Sequence, residues 1–282
     1  MRVISPTLVL GGAGLVGTAL RELLVERGLP FAAPARGECD ITASDEIVRS
    51  VQGSSAQLVI NCAAYNAVDR AEHERDEVWR INALGPETVA RVAPAIVHYS
   101  TDYVFDGHGN RPYTESDTPL PLSAYGRAKL AGDLAVRAAN PCHFVLRVGC
   151  IYGRAGRGFP TRLIAKLRAG ERVRADGERR LQPTWARCIA ERTLSIAANE
   201  GFGLYHLMCH GDTTWADFAR EAARLLGRDP ALVESVPTAA LSETAVRPRY
   251  ALLANRALEA SGADRMPTWQ DALAAYLASE PL

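Results

Sequence analysis

Tyr125 and Lys129 stand four residues apart in the run Tyr125-Gly126-Arg127-Ala128-Lys129, so on a helix they share one face. A phenol ordinarily holds its proton to a pH of about 10, and an ammonium beside it stabilises the phenolate and lowers that value. Such a phenol can hand its proton to a carbonyl oxygen as hydride reaches the carbon. The lysine can also hydrogen-bond a nicotinamide ribose. Upstream, the strand-like run Ala95–Tyr99 is followed at once by Ser100, Thr101 and Asp102, polar groups where an open α/β sheet puts its active site. Thr101 is suited to hold the substrate oxygen. A Tyr-x-x-x-Lys pair alone is usually chance; its place behind two other motifs gives it weight.

The first of those motifs is Gly11-Gly12-Ala13-Gly14-Leu15-Val16-Gly17, with Gly11, Gly14 and Gly17 three residues apart. A strand that turns sharply into a helix while its backbone approaches a pyrophosphate needs residues without a β-carbon. The helix N-terminus then offers free N–H groups to the phosphates. Gly11, Gly14, Leu15, Val16 and Gly17 are therefore expected against a dinucleotide. The second strand, Phe31–Ala33, should end near the adenosine ribose, where the chain carries Arg36-Gly37 and then Asp40-Ile41. Arginine there suits the extra phosphate of NADP and a carboxylate suits the ribose of NAD. Arg36 is assigned to the former and Asp40, with Ile41, to the adenine, which favours NADPH slightly over NADH. A solvated loop arginine explains Arg36 equally well.

The elements that must position these groups alternate through the first half. Thr7–Leu10, Leu58–Ile60, Ala95–Tyr99 and Phe144–Leu146 read as buried strands. Between them Val16–Arg27, Asp45–Val51, Ala67–Val92 (interrupted near Gly85-Pro86) and Ser123–Ala139, capped by Ser123, read as helices. The second half offers helices at Phe159–Leu167, Trp185–Ala198, Thr213 or Thr214 to Leu226 and Trp269–Leu277, with strands at Leu204–Met208 and Val233–Val236. Strands alternating with helices give an α/β fold with a doubly wound parallel sheet. The expected division is a dinucleotide-binding domain over residues 1–148, with part of 173–210 returning to it. A smaller mixed C-terminal substrate lobe would cover 149–282.

Composition excludes several classes. The chain of 282 residues balances 32 basic against 32 acidic side chains, which argues against a nucleic-acid partner. No apolar run reaches the roughly 20 residues of a membrane helix, and the N-terminal run reads as a first strand rather than a signal. Six cysteines include no C-x-x-C pair and no histidine spacing for zinc. No metal is therefore expected, and reduced thiols suit the cytoplasm. A homodimer is left open.

Several motifs together carry a family resemblance over nearly the whole length: Gly11–Gly17, Asn61-Cys62-Ala63-Ala64-Tyr65-Asn66-Ala67-Val68-Asp69, Tyr99–Gly107, Tyr125–Gly132, Pro183-Thr184, Arg247-Pro248 and Trp269-Gln270. The chain resembles the extended short-chain dehydrogenase/reductases, and within them the dTDP-4-dehydrorhamnose reductase branch. The resemblance implies a Rossmann sheet and a catalytic triad of Thr101, Tyr125 and Lys129. It places Ala63, Ala64 and Tyr65 along an NADPH or NADH cofactor, and Asn66, Val68, Asp102 and Tyr103 towards a nucleotide-sugar substrate. Asp102 would hydrogen-bond a sugar hydroxyl. The reaction implied is reduction of the 4-keto group of a nucleotide-activated deoxysugar, with dTDP-4-dehydrorhamnose to dTDP-L-rhamnose the best single assignment. Related dehydratases carry Glu after the Asp, where this chain has Tyr103, so plain ketone reduction is favoured. The alternatives are an NADP-binding regulatory subunit of a partner enzyme, another sugar-nucleotide ketoreductase, or an epimerase.

Three departures fall in the substrate half. Cys150 follows Arg147-Val148-Gly149 where the family usually has a Trp that packs on the sugar. The stretch Asp176–Thr184 is altered, and Ala251 follows Arg247-Pro248-Arg249-Tyr250 where serine is common. They leave the sugar more open than the hydride chemistry. Cys150 is expected to line the pocket. Arg247, with Arg154 and Arg157 as weaker candidates, would answer a diphosphate. Asn82 is either the family-like asparagine or a helix-packing amide.

Overall fold

The computed structural model describes residues 5–155, 158–199 and 201–279. Its strands are β1 (Thr7–Leu10), β2 (Phe31–Ala32), β3 (Leu58–Asn61), β4 (Ile96–Thr101), β5 (His143–Val148), β6 (Ile151–Tyr152), β7 (Val173–Asp176), β8 (Thr184–Trp185), β9 (Gly203–His206) and β10 (Val233–Val236). Six of them form one sheet in the order β2-β1-β3-β4-β5-β9, every pair parallel. The order reverses between β1 and β3. That switch point opens a crevice at the carboxyl ends of the strands, where ligands of such sheets bind.

The helices are α1 (Leu15–Glu26), α2 (Ser44–Ser54), α3 (Arg75–Trp79), α4 (Gly85–Val92), α5 (Ala124–Ala139), α6 (Phe159–Arg168), α7 (Ala186–Asn199), α8 (Trp215–Leu225), α9 (Arg256–Ala260) and α10 (Trp269–Ser279). They cover both faces of the sheet, so its strands are buried runs rather than alternating ones. Along β1 the alternation shows in the packing: Val9 meets α1 and α7, while Leu8 and Leu10 meet α2, α4 and α5. Ser123 caps α5 as expected, its Oγ accepting the Gly126 N–H at 3.1 Å. Thr214 rather than Thr213 caps α8, through the Asp217 N–H at 3.1 Å.

The helical stretch expected over Ala67–Val92, with one interruption near Gly85-Pro86, is broken up further, and α4 begins at Gly85 itself. A 3-10 turn at Arg70–Glu72 precedes α3, and a wide π turn at Arg80–Leu84 joins α3 to α4. The extra residue in that turn carries Asn82 inward. The strands β6, β7 and β8 are not foreseen by the sequence reading. They are short, and their pairs β6–β8 and β7–β10 join segments far apart in the chain. The sixth strand of the main sheet, β9, comes from the second half and pairs with β5.

Candidate active site

The site grows from the carboxyl end of β4. Thr101 closes that strand and caps the next turn, its Oγ accepting the Tyr103 N–H at 3.2 Å and donating to Asp102 Oδ1 at 2.9 Å. The start of α5 is fixed opposite by its Ser123 cap and by Glu72, whose carboxylate accepts the Ala124 N–H at 2.7 Å. Tyr125 therefore sits in the first turn, with its hydroxyl hydrogen-bonded to Thr101. Lys129 lies one turn on along the same face. Both are buried.

Burial raises the Tyr125 phenol far above its ordinary value, with the Thr101 hydrogen bond opposing. The depression by Lys129 expected from the sequence is not what the geometry gives. The ammonium is turned to the Tyr99 carbonyl, 2.5 Å away. Burial pulls Lys129 itself down to about 8, with Asp133 opposing. Asp102 is pushed up to about 7 by burial, against hydrogen bonds from Thr101 and nearby backbone. Its Oδ2 is buried and has no partner among the described residues. Gly149 makes room for that carboxyl: a β-carbon there would stand 2.5 Å from Asp102 Cγ.

The substrate side closes over this floor. The Tyr103 ring meets Tyr125 edge-on, with centroids 6.0 Å apart. Burial raises the Tyr103 phenol, and Arg247 and Arg179 oppose the rise. Cys150 lies half-buried beside Asp102 with φ at 49°, and burial and the neighbouring Asp102 push its thiol well up. A neutral thiol suits a pocket wall rather than a nucleophile.

Arg247 is present but engaged. Its Nη1 and Nη2 meet the two oxygens of Asp69 at 2.9 and 2.7 Å, and Asp69 also accepts the Thr244 and Ala245 N–H groups at 3.0 Å each. Arg154 turns to the Ser279 carbonyl. Arg157 lies outside the described residues. Arg179, to which the sequence reading assigned no role, is largely buried between Glu243 and Asp176. No spacing signal could have found it, since Glu243 is 64 residues away.

On the other side of the crevice the glycine motif meets the loop after β3. Gly11 has φ at +71°, and a β-carbon on it would lie 2.5 Å from the Ala63 nitrogen. A β-carbon on Gly17 would lie 2.4 Å from the Gly11 carbonyl. These contacts draw α1 tight against the ends of β1 and β3. Gly14 is exposed, and no side chain caps the helix it starts, so N–H groups there stay open to an anion. Val16 packs into the core, while Leu15 lies beside Gly153 and Gly158.

Beyond Ala63, the half-buried Ala64 and Tyr65 follow, then Asn66, exposed, and Val68. Asn82 clamps this loop: its carboxamide accepts from Tyr65 N and donates to Tyr65 O, both at 2.9 Å. The half-buried Glu74 accepts from the Tyr65 hydroxyl. These residues fit a dinucleotide along the crevice.

The residues after β2 form a separate outlying group. Arg36 is exposed and only loosely paired, 3.8 Å from Glu77. The Asp40 carboxylate is turned to its own loop, accepting from Thr42 N at 2.9 Å and Oγ1 at 2.8 Å. Ile41 is buried against Gly85, which leaves only backbone there for an adenine.

Comparison with known proteins follows the same lines. The family model described as RmlD substrate binding domain matches residues 5–281. The chain is 36% identical over 276 residues to a dTDP-4-dehydrorhamnose reductase of Streptomyces griseus, covering 94% of this chain and 91% of that one. It is 35% identical to a probable dTDP-4,6-dihydroxy-2-methyloxan-3-one 4-ketoreductase of Streptomyces antibioticus, covering 94% and 92%. The crystal structure of a dTDP-4-dehydrorhamnose reductase from Bacillus anthracis in complex with NADP superposes with a TM-score of 0.93 at 28% identity, covering 97% and 99%.

Proposed function

The chain belongs to the RmlD substrate binding domain family, and from that premise we propose that it reduces the 4-keto group of a dTDP-activated deoxysugar with NADPH. One observation carries the reading: Thr101 and Tyr125 come together at the carboxyl end of β4, with Lys129 buried one turn on along α5 against the Tyr99 carbonyl, beside the crevice where Gly11 approaches Ala63. The relatives named above share a 4-keto reduction and differ in the sugar.

The bound dinucleotide supplies hydride to the ketone carbon. Tyr125 donates its hydroxyl proton to the ketone oxygen, which Thr101 holds in line. Lys129 holds the ribose and keeps a positive charge under the developing phenolate. Asp102 directs its unpartnered Oδ2 at a sugar hydroxyl. The glycine cradle and the open start of α1 bind the pyrophosphate. Residues 1–148 together with β9 carry the dinucleotide, and 149–282 mainly cover the sugar nucleotide. Cys150 leaves space where a Trp would fill it, so a sugar differing from rhamnose in bulk is accommodated; dTDP-4-dehydrorhamnose remains the first substrate to try. Six free thiols support a reducing compartment such as the cytoplasm.

The experiment is NADPH oxidation with a panel of dTDP-4-ketosugars. Turnover of at least one supports the reading. Binding of NADPH, seen by its fluorescence, with no ketosugar consumed would refute it and favour a regulatory subunit.

A further inference from the structure

Asp133 lies two turns after Tyr125 and one turn after Lys129 on the same face of α5, and it is fully buried. Its Oδ2 meets Nε of the buried Arg147, on β5, at 3.2 Å. Its Oδ1 has no hydrogen-bond partner in the described structure. Side chains at i and i+4 on a helix stand about 5–6 Å apart at their β-carbons, so the carboxylate that holds Arg147 stands on the same face of α5 as Lys129 and one turn from it. A sealed ion pair is costly to form and weak as a stabiliser, which asks what this one does.

We propose that Asp133 is the positioning residue that keeps Lys129 charged beneath the reacting tyrosine, and that Arg147 in turn keeps Asp133 ionised. The groups around Lys129 leave no other source for that charge. From β4 it faces His98, which is buried and held neutral by burial and by Lys129 itself, and the Tyr99 carbonyl. From the turn after β4 it has Asp102, already committed to Thr101 and raised to about 7. Cys62, after β3, is a half-buried thiol that desolvation pushes up.

Glu72 is spent on the Ala124 N–H. The charges near α3 and on α4 pair outward as Arg80–Glu77 and Arg91–Glu87. Facing Asp133, β4 offers the Ser100 hydroxyl and β5 offers Arg147. His206, on β9 beside Arg147, is held neutral, at about 3, by burial and by that arginine. Burial raises Asp133, and Arg147 is the largest opposing influence. Asp133 in turn is what opposes the fall of Lys129.

The consequence for turnover rests on the reductase reading; the electrostatic link does not. The chain contains only two lysines, Lys129 and the exposed Lys166. In the full chain labelled with 13C-lysine, two side-chain resonances therefore report the two amines, with Lys166 as the internal reference. Lys129 in the wild type should titrate near 8. In Asp133→Asn its midpoint should fall by about 1–3 pH units, the scale of losing an adjacent opposite charge, while Asp133→Glu should hold it near the wild-type value.

Asp133→Asn strands Arg147 and could unfold the chain. The double variant Asp133→Asn/Arg147→Met removes the stranded charge and should show a fall in the same direction. A Lys129 midpoint unchanged in every folded variant lacking the carboxylate overturns the proposal and leaves the reductase reading standing. Wild-type protein that turns over no ketosugar overturns that reading and leaves the lysine titration to be judged by itself. Where turnover is measured, the alkaline limb of kcat should move to lower pH in Asp133→Asn and return in Asp133→Glu, which loss of packing alone would not produce.

Discussion

Replacing Tyr125 by Phe removes one oxygen and almost no volume, so it separates chemistry from folding. The ring keeps its edge-on contact with Tyr103 and its place in the first turn of α5. What goes is the hydrogen bond to Thr101. A net hydrogen bond is worth about 1 kcal/mol, and relief of the buried hydroxyl's desolvation offsets part of it, so the thermal midpoint should move little. Thr101 keeps its bond to Asp102, and the glycine cradle and Lys129 are untouched, so NADPH affinity should hold.

The proton, by contrast, loses its donor. General acid catalysis contributes about 10²–10⁴, equivalent to about 3–5 kcal/mol of barrier. The assay is NADPH oxidation at saturating ketosugar, with cofactor binding measured on the same sample. A folded, cofactor-binding variant whose kcat stays within about threefold of wild type has lost only ~0.6 kcal/mol of barrier. That is too little for a proton donor, and it would refute the assignment of Tyr125.

Four further outcomes follow from the geometry. Burial keeps the Tyr125 proton in place at alkaline pH, so the alkaline limb of kcat belongs to Lys129: activity should fall as pH rises through about 8, and a limb near the ordinary lysine range would contradict the burial argument. Gly17→Ala puts a β-carbon 2.4 Å from the Gly11 carbonyl, so α1 must shift; equilibrium titration should show NADPH affinity down tenfold or more, alongside about 1–3 kcal/mol of lost stability from overpacking. Gly149→Ala drives a β-carbon to 2.5 Å from Asp102 Cγ and displaces that carboxyl; steady-state kinetics should show KM for the sugar nucleotide rising with NADPH affinity unchanged. Asp69 is held at about 2 by Arg247 and backbone N–H groups, below its unfolded value, so its contribution is present above about pH 4 and is lost as pH falls through 2; urea midpoints of wild type and Asp69→Asn should differ modestly at pH 6 and converge at pH 2.

What the sequence reveals of this site depends on how far apart the cooperating residues lie. Tyr125 and Lys129 are legible because helical spacing alone puts them on one face. Gly11 and Gly17 are legible because their lack of a β-carbon is itself the structural requirement, whereas a β-carbon on Gly14 would meet only the Gly11 carbonyl, at 3.5 Å. The strands of the main sheet are legible because burial on both faces leaves continuous apolar runs such as Thr7–Leu10. The π turn at Arg80–Leu84 is not, since it is set by Asn82 reaching back to Tyr65, 17 residues earlier. Arg179 and Arg247 are legible as cations but not in their engagements, because Glu243 and Asp69 come from distant segments. Strands β6, β7 and β8 escape for the same reason: two to four residues become a strand only when a remote partner pairs with them. Asp133 stood in plain sight at four residues past Lys129; only its complete burial turns a helix-surface carboxylate into part of the site.

The choice between the two basic residue types points the same way. The chain carries thirty arginines and two lysines. Among the described residues, and apart from the two histidine–aspartate contacts, its ion pairs, from the surface Arg70–Glu74 to the buried Arg147–Asp133, run through guanidinium groups. A guanidinium stays charged in any of these settings and matches a carboxylate with a rigid fork, whereas an ammonium yields its proton when burial presses on it. A cation meant only to hold an acid is served by arginine, and this chain uses arginine for it throughout. At position 129 the group is buried one helical turn from Tyr125, where burial has already brought it to about 8. Arginine there would fix the charge at every pH. Lysine leaves the charge adjustable, and Asp133 one turn away adjusts it. On the reading proposed above, the pH at which activity falls is set along α5, by three residues spaced four apart on one face.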